Sequence, residues 1–400
     1  MIARPQHNTA TRPAHVRSRK SFDHSPMLVF YELTRACDLV CLHCRACAQK
    51  RRDPNELDTT QSKRLIDQLV EFPDPPMLIL TGGDPLKRHD IYELIEYAVD
   101  SGIDVSITPS ATPLVNRDSI RRLRDAGISR MATSVDGADA ATHDANRGVA
   151  GSFDHSMNVL RIARELGVQT QINTTLTPAN VDQIETMGER FGELDIALWS
   201  VFFLIPVGRA TEMERLNADE CEDAFARLHA QAELQPFMLK TTEAPHYRRY
   251  VIQNTKKQRS GTRQEFRPDT SKVLTTSATA DREPPRGFIP AGVNDGKGVM
   301  FVSHTGEIFP TGFLPIHCGD FPTQNVVDVY QKSPTFRMLR DSDQLEGKCG
   351  VCEFRNVCGG SRARAFGVTG NPMAEEPDCN YIPPAFHGSP PCPPSLVPTA

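Results

Sequence analysis

The chain contains no apolar run near the roughly 18 residues that a membrane-spanning helix requires, so no membrane span is expected. It is also poor in aromatic residues, with one tryptophan in an aromatic share of 7%, and it carries no basic excess. The 45 Lys and Arg against 50 Asp and Glu leave a formal net charge of −5. That balance offers neither a nucleic acid nor an anionic membrane an electrostatic footprint. No secretory signal is expected either. Arg4, Arg12, Arg17, Arg19 and Lys20 fall in residues 1–26 with no apolar core beside them, which reads as a disordered basic tail. A large chain without an export signal is expected in the reducing cytoplasm, where a disulfide framework does not persist. The remaining composition, 39% hydrophobic and 24% charged over 400 residues, suits a soluble globular protein of about two or three domains.

Against this ordinary background stand eleven cysteines. Cys37, Cys41, Cys44 and Cys47 crowd one end, and Cys349, Cys352, Cys358 and Cys379 the other. Cys221, Cys318 and Cys392 stand apart and read as ordinary thiols. Spacings of C-x3-C-x2-C and C-x2-C suit ligation of metal rather than cross-linking of distant loops.

Short β-branched runs alternate with helical patterns between the two groups. Strands are expected at Met27–Leu33, Met77–Thr81, Asp104–Thr108, Arg130–Val135, Gln169–Leu176 and Ala197–Ile205. Between them, Leu65, Ile66, Leu69 and Val70, then Ile91, Leu94, Ile95 and Ala98, repeat at helical spacing. Ile120, Leu123 and Ala126 run into Gly127, and Val159, Ile162, Ala163 and Leu166 into Gly167, each glycine marking a stop. Such alternation predicts a parallel α/β fold, as a barrel or an open doubly wound sheet. In both, chemistry sits at the C-terminal ends of the strands. Residues 236–286 read as a linker, with a polar, flexible insertion from 254. A small Cys-rich unit follows over 287–383, in which Met300–Ser303, the turn His304-Thr305-Gly306, Ile308 and Phe309 form a hairpin. Residues 384–400 are Pro-rich and read as a disordered tail.

Cys37, Cys41 and Cys44 fall in the loop after the first strand. Three thiolates ligate three irons of a [4Fe–4S] cubane and leave the fourth open to a chelating ligand. A zinc site completed by Cys47 or His43 is the competing reading. Thr81-Gly82-Gly83-Asp84-Pro85 follows the second strand, and Ser134-Val135-Asp136-Gly137 ends the fourth.

This constellation resembles the radical S-adenosylmethionine (SAM) superfamily. The resemblance implies a partial (β/α)6 TIM-like barrel, with residues 27–235 as its core and a small C-terminal Cys-rich α+β extension. It implies that the open iron binds SAM. One electron, from a low-potential donor of flavodoxin or ferredoxin type, then releases a 5′-deoxyadenosyl radical that abstracts hydrogen from a substrate. Gly82, Gly83, Asp84 and Pro85 match the family's GGEP motif, which holds the SAM amino group through backbone. Here Asp84 replaces the usual Glu. Ser134 and Asp136 resemble its ribose-binding S-x-D motif. Arg147 is placed to pair with the SAM carboxylate, and Asn173, a polar residue inside the fifth strand, to line the cavity. Residues Phe202 to Ala210 match a segment that contacts SAM or substrate, although Arg209 also reads as structural.

Cys349, Cys352, Cys358 and Cys379 are enough to ligate one cluster completely, or equally a zinc ribbon. The neighbouring VCGGSRARAFG resembles the SPASM/twitch extension. Full SPASM domains need about seven cysteines, and Thr311 and Ser361 stand where two are usual. One auxiliary [4Fe–4S] cluster is therefore expected. The whole chain resembles the alternative heme-synthesis and d-type heme maturation enzymes, and the coenzyme PQQ and mycofactocin maturases. A tetrapyrrole, a peptide or another small molecule is the implied substrate, and a non-catalytic Fe–S or zinc scaffold is the third reading. In TTEAPHYRRY, the adjacent Arg248 and Arg249 suit paired carboxylates, or else form a solvated basic face. The 26-residue tail is too short for a leader-binding domain, which favours a non-peptide substrate.

Overall fold

A computed structural model describes residues 22–260 and 292–388. The expected N-terminal tail, polar insertion and Pro-rich tail, together with Cys392, lie wholly or largely outside the described residues. The chain runs through β1 (Leu28–Glu32), α1 (Thr59–Val70), β2 (Met77–Thr81), α2 (Ile91–Asp100), β3 (Val105–Ile107), α3 (Arg117–Asp125) and β4 (Arg130–Ser134). It continues with α4 (Ala140–Arg147), α5 (Ser152–Glu165), β5 (Thr170–Leu176), α6 (Ile184–Gly192), β6 (Leu198–Phe203), α7 (Ala218–Leu234), β7 (Met238–Thr242) and α8 (His246–Ser260). The C-terminal part holds β8 (Val299–Val302), β9 (Glu307–Phe309), β10 (Gly319–Asp320), α9 (Val326–Lys332), α10 (Pro334–Arg340), α11 (Gly347–Gly350) and α12 (Arg362–Thr369).

Each of the six expected strands forms, and neighbours pair in parallel through the helices between them. The helix faces read from periodicity are the buried ones. Leu65, Ile66 and Leu69 of α1 and Leu94, Ile95 and Ala98 of α2 pack on Val29, Tyr31, Leu78 and Leu80, although Val70 is 40% exposed. Helix starts are set by side chains that satisfy the free backbone N–H groups: Asp58 with Gln61 at α1, and Asn116 with Ser119 at α3. Gly127 and Gly167 follow α3 and α5 at φ +99° and +72°, where a side chain would be strained.

Two features depart from the expected architecture. The supposed linker contributes a seventh parallel strand, β7, paired to β6 from Leu198↔Met238 to Phe202↔Thr242, and then α8. Its sequence MLKTT has polar residues where a buried strand is usually apolar, so periodicity missed it. The hairpin of the Cys-rich unit forms as expected. However, β8 also pairs in parallel with β1, Leu28↔Val299 to Tyr31↔Val302, so this unit continues the main sheet. The sheet order is β10-β9-β8-β1-β2-β3-β4-β5-β6-β7, and among the described residues β7 and β8 do not pair. Residues two apart on successive strands, such as Leu28 and Phe30, Met77 and Ile79, or Lys240 and Thr242, line one cavity. The sheet is therefore curled into a partial barrel, the TIM-like α/β architecture. No helix of the described residues is long and apolar enough to cross a membrane.

Candidate active site

The loop after β1 is closed at its base by two backbone bonds, from Cys37 N to Gln49 O at 2.8 Å and from Gln49 N to Arg35 O at 2.9 Å. It rests on the end of α4, where Val40 N and Leu42 N donate to Arg147 O and Asn146 O. Arg209 clamps it from the far side. Its backbone N–H donates to Cys44 O, and its guanidinium donates to Cys41 O and Ala48 O. Arg209 is thus a brace for the cysteine loop, its structural reading.

Cys37, Cys41 and Cys44 share the wall of a cavity of about 200 Å³ at the C-terminal ends of the strands. Gly82, Gly83, Ser134, Arg147 and Asn173 line it with them. The glycines allow a close approach of two backbones. Gly83 N donates to Thr34 O at 2.7 Å, and a Cβ on Gly83 would lie 2.5 Å from Ala36 O. Two backbone N–H groups already point at sulfur, Leu39 N at 3.4 Å from Cys37 Sγ and Ala48 N at 3.3 Å from Cys44 Sγ.

Other expected contacts sit behind the wall. Asp84 is fully buried and accepts from Leu86 N and from Thr112 Oγ1 at 2.7 Å. Neither it nor Pro85 lines the cavity, so only the glycines of that motif face it. Asp136 is also fully buried. It takes Thr175 N at 2.8 Å and forms an ion pair with Arg147 at 2.6 Å. β4 ends at Ser134, so the alternation that would aim Asp136 inward is broken. Asp136 therefore orients Arg147 and does not itself line the cavity. Burial would raise its carboxyl, but Arg147 and His43 hold it below the usual carboxylate range. Burial and Arg147 push His143 down to about 4. Asn173 meets the demand of a polar residue inside a strand by accepting from Gln171 Nε2 at 2.7 Å. One residue was missed in the sequence. Ser110, beyond β3, donates to Gly83 O at 2.6 Å and lies 3.4 Å from Cys37 Sγ. Its position just past a strand end was the available signal.

The donor set fits a cluster: three thiols of one loop share the cavity wall, enough for three irons of a cubane with the fourth left open. Cys47 is exposed.

Cys349, Cys352, Cys358 and Cys379 line a second, smaller cavity with His246, Arg249 and Lys348. Glu376 N and Gly360 N point at Cys349 and Cys358 Sγ. Burial pushes the Cys379 thiol up to about 11 against the pull of Arg249 and Lys348. Thr311 and Ser361 belong to a polar network instead. Thr311 Oγ1 donates to Asp295 Oδ1 at 2.8 Å, and Ser361 Oγ to Glu243 Oε2 at 2.6 Å. Cys221 and Cys318 pack in hydrophobic core.

The two adjacent arginines part company. Arg249 pairs with Glu222 and faces the second cysteine cavity. Arg248 lines the barrel cavity, of about 240 Å³. That cavity shares Arg45, Thr81, Thr108, Asn173, Phe202 and Phe313 with the first.

Comparison with known proteins agrees with this geometry. The radical SAM superfamily model matches residues 31–191. An AdoMet-dependent heme synthase of Nitratidesulfovibrio vulgaris is 38% identical over 368 residues, covering 90% of this chain and 94% of its own. A protein of the same name from Methanosarcina barkeri is 35% identical over 360 residues, covering 90% and 98%. Streptococcus suis SuiB, solved bound to S-adenosylmethionine, has a similar fold. Its TM-score is 0.66 at 16% identity, over 90% of this chain and 78% of that one. The superfamily match begins within β1 and takes in the whole cysteine loop, and the two relatives are alike over nine-tenths of the chain: the chain belongs to the radical SAM superfamily of enzymes.

Proposed function

We propose that this chain modifies the propionate side chains of a tetrapyrrole, in the manner of an AdoMet-dependent heme synthase. The observation that carries this reading is the likeness to two proteins of that name over nine-tenths of the chain. The connected cavities suit it, because one end can hold SAM while the barrel interior receives the substrate. Bound at the three-cysteine loop, the [4Fe–4S] cluster and SAM supply a one-electron cleavage whose radical takes a hydrogen atom. Gly82 and Gly83 present backbone to the SAM amino group, and Arg147 presents charge to its carboxylate. Ser134 and Asn173 contribute hydrogen bonds from the strand ends.

A propionate that loses a hydrogen atom and then carbon dioxide leaves a vinyl group and one surplus electron. Cys349, Cys352, Cys358 and Cys379 hold the one auxiliary [4Fe–4S] cluster that this electron calls for. Arg248 connects the cavity to that site, with Nη1 donating to Val357 O, beside Cys358, at 3.0 Å. An external low-potential protein donates the initiating electron.

The test is anaerobic turnover of reconstituted enzyme with dithionite, SAM and iron-coproporphyrin. The expected products are 5′-deoxyadenosine and a decarboxylated porphyrin, resolved by mass spectrometry. 5′-Deoxyadenosine without any change in the porphyrin would reject the tetrapyrrole and leave a maturase of another small molecule or peptide.

A further inference from the structure

We infer that Arg130, Lys240 and Arg248 form a cationic floor in the barrel that grips substrate carboxylates at the edge opposite to the one that reacts. The inference rests on the tetrapyrrole reading and adds how the substrate is oriented. All three side chains line the barrel cavity. Arg130 opens β4, Lys240 lies in the middle of β7, and Arg248 is in the first turn of α8. The wall formed by β8, β1 and β2 is apolar, with Phe30, Met77, Ile79, Val299 and Phe301. A flat apolar ring with carboxylates on its rim fits such a lining.

Arg130 lies in the field of Asp104, and Lys240 is the cation left for a ligand. Lys240 has no hydrogen-bond or ion-pair partner among the described residues. Burial, with Arg130 and Arg248 adding repulsion, pushes its pKa down to about 7. Two carboxyls also line the cavity, but both are engaged elsewhere. Asp295 accepts from Thr311 Oγ1 and from Arg362 N and Ala363 N. Glu243 accepts from Ser361, and burial beside Asp295 raises its carboxyl well above the usual range. Cations gathered in one cavity repel one another, as the lowered Lys240 shows, and an anionic ligand relieves that.

The spacing gives the orientation. Arg130 and Ser134 are the two ends of β4, about 13 Å apart at 3.3 Å per residue. That is roughly the breadth of a tetrapyrrole with its side chains. Carboxylates held by the floor are then out of reach of the cysteine loop, while those on the opposite edge face it. The enzyme would therefore spare one pair of propionates by position rather than by chemistry.

The test is titration of reconstituted, SAM-bound enzyme with iron-coproporphyrin, read by visible absorbance. Lys240→Met and Arg248→Met are each expected to weaken binding on the order of tenfold to a hundredfold. Lys240→Arg should restore most of it, and Lys332→Met, at an exposed ion pair, should bind as the parent does. The tetramethyl ester, which needs no variant, should bind the parent enzyme at least tenfold more weakly than the free acid. Equal binding by ester and acid, or by Lys240→Met and parent, overturns the floor while leaving the tetrapyrrole reading intact. Failure of the parent enzyme to bind iron-coproporphyrin overturns both.

Discussion

Arg147 lies 2.6 Å from Asp136 through one Nη and 3.6 Å from Cys41 Sγ through the other, so a single guanidinium joins a fully buried carboxylate to the cysteine loop. Arg147→Met is expected to weaken SAM binding on the order of tenfold or more and to destabilise the fold by about 3–5 kcal/mol, because buried Asp136 loses its guanidinium partner and keeps only Thr175 N and His43. Adding Asp136→Asn should recover most of the stability and none of the SAM affinity. Equilibrium dialysis with SAM and urea unfolding of the two variants separate these effects. Recovery of both together would show that Arg147 is only structural.

Gly83→Ala should push the cysteine loop off its seat, since the new Cβ meets Ala36 O at 2.5 Å and Arg35 O at 2.7 Å. Iron after reconstitution is expected to fall from about eight to about four per chain, with the remaining signal from the C-terminal cysteines. Gly102→Ala meets no atom within 4 Å and should keep its full iron content, losing only about 1–2 kcal/mol to its left-handed backbone. Full iron in Gly83→Ala would mean that the loop adapts.

Arg88 and Asp90 form a buried pair at 2.8 and 2.5 Å, and Arg88 also donates to Leu57 O. Burial raises the Asp90 carboxyl, but its bonds to Arg88 and Thr59 outweigh that and hold it at about 2. A depressed carboxyl stabilises above its unfolded pKa and stops doing so as pH falls through the folded one. Asp90→Asn should therefore cost about 3–5 kcal/mol, equally at pH 8 and pH 5, with the gap to the parent narrowing only below about pH 4. Urea midpoints across that range measure it. A gap that closes already between pH 7 and 5 would contradict the assignment.

Cys352→Ala is expected to lose about four irons and the decarboxylated product while still forming 5′-deoxyadenosine. Loss of 5′-deoxyadenosine as well would place the second cysteine group in SAM cleavage, which its separate cavity argues against.

Local signals placed the cysteine loop at a strand end. Cysteine spacing and the Gly82-Gly83 turn are short-range patterns, and both lie where the strand ends put them. Asp84 and Asp136 were legible as motif residues but not as buried ones, because whether a carboxylate faces a cavity or its scaffold depends on where a strand stops. β7 and the site of β8 were hidden for a related reason. Lys240 and Thr242 break the apolar pattern of a strand because they face a cavity. The pairing of β8 with β1 joins residues some 270 positions apart, which no local pattern records. Arg130, Lys240 and Arg248 are far apart in sequence and meet only in the curled sheet.

The seating of β8 against β1 also sets an order of assembly. During synthesis the N-terminal part emerges and folds first, so β1 remains an unpaired edge until residues 299–302 arrive. Phe313 on the wall of the cysteine cavity also arrives only then, so a cluster delivered earlier would meet a more open site. An edge left bare is also a site for mispairing between chains. Truncation before β8 should therefore yield a protein that binds iron at the first site and aggregates, and the last quarter of the chain acts as the cover that ends both exposures.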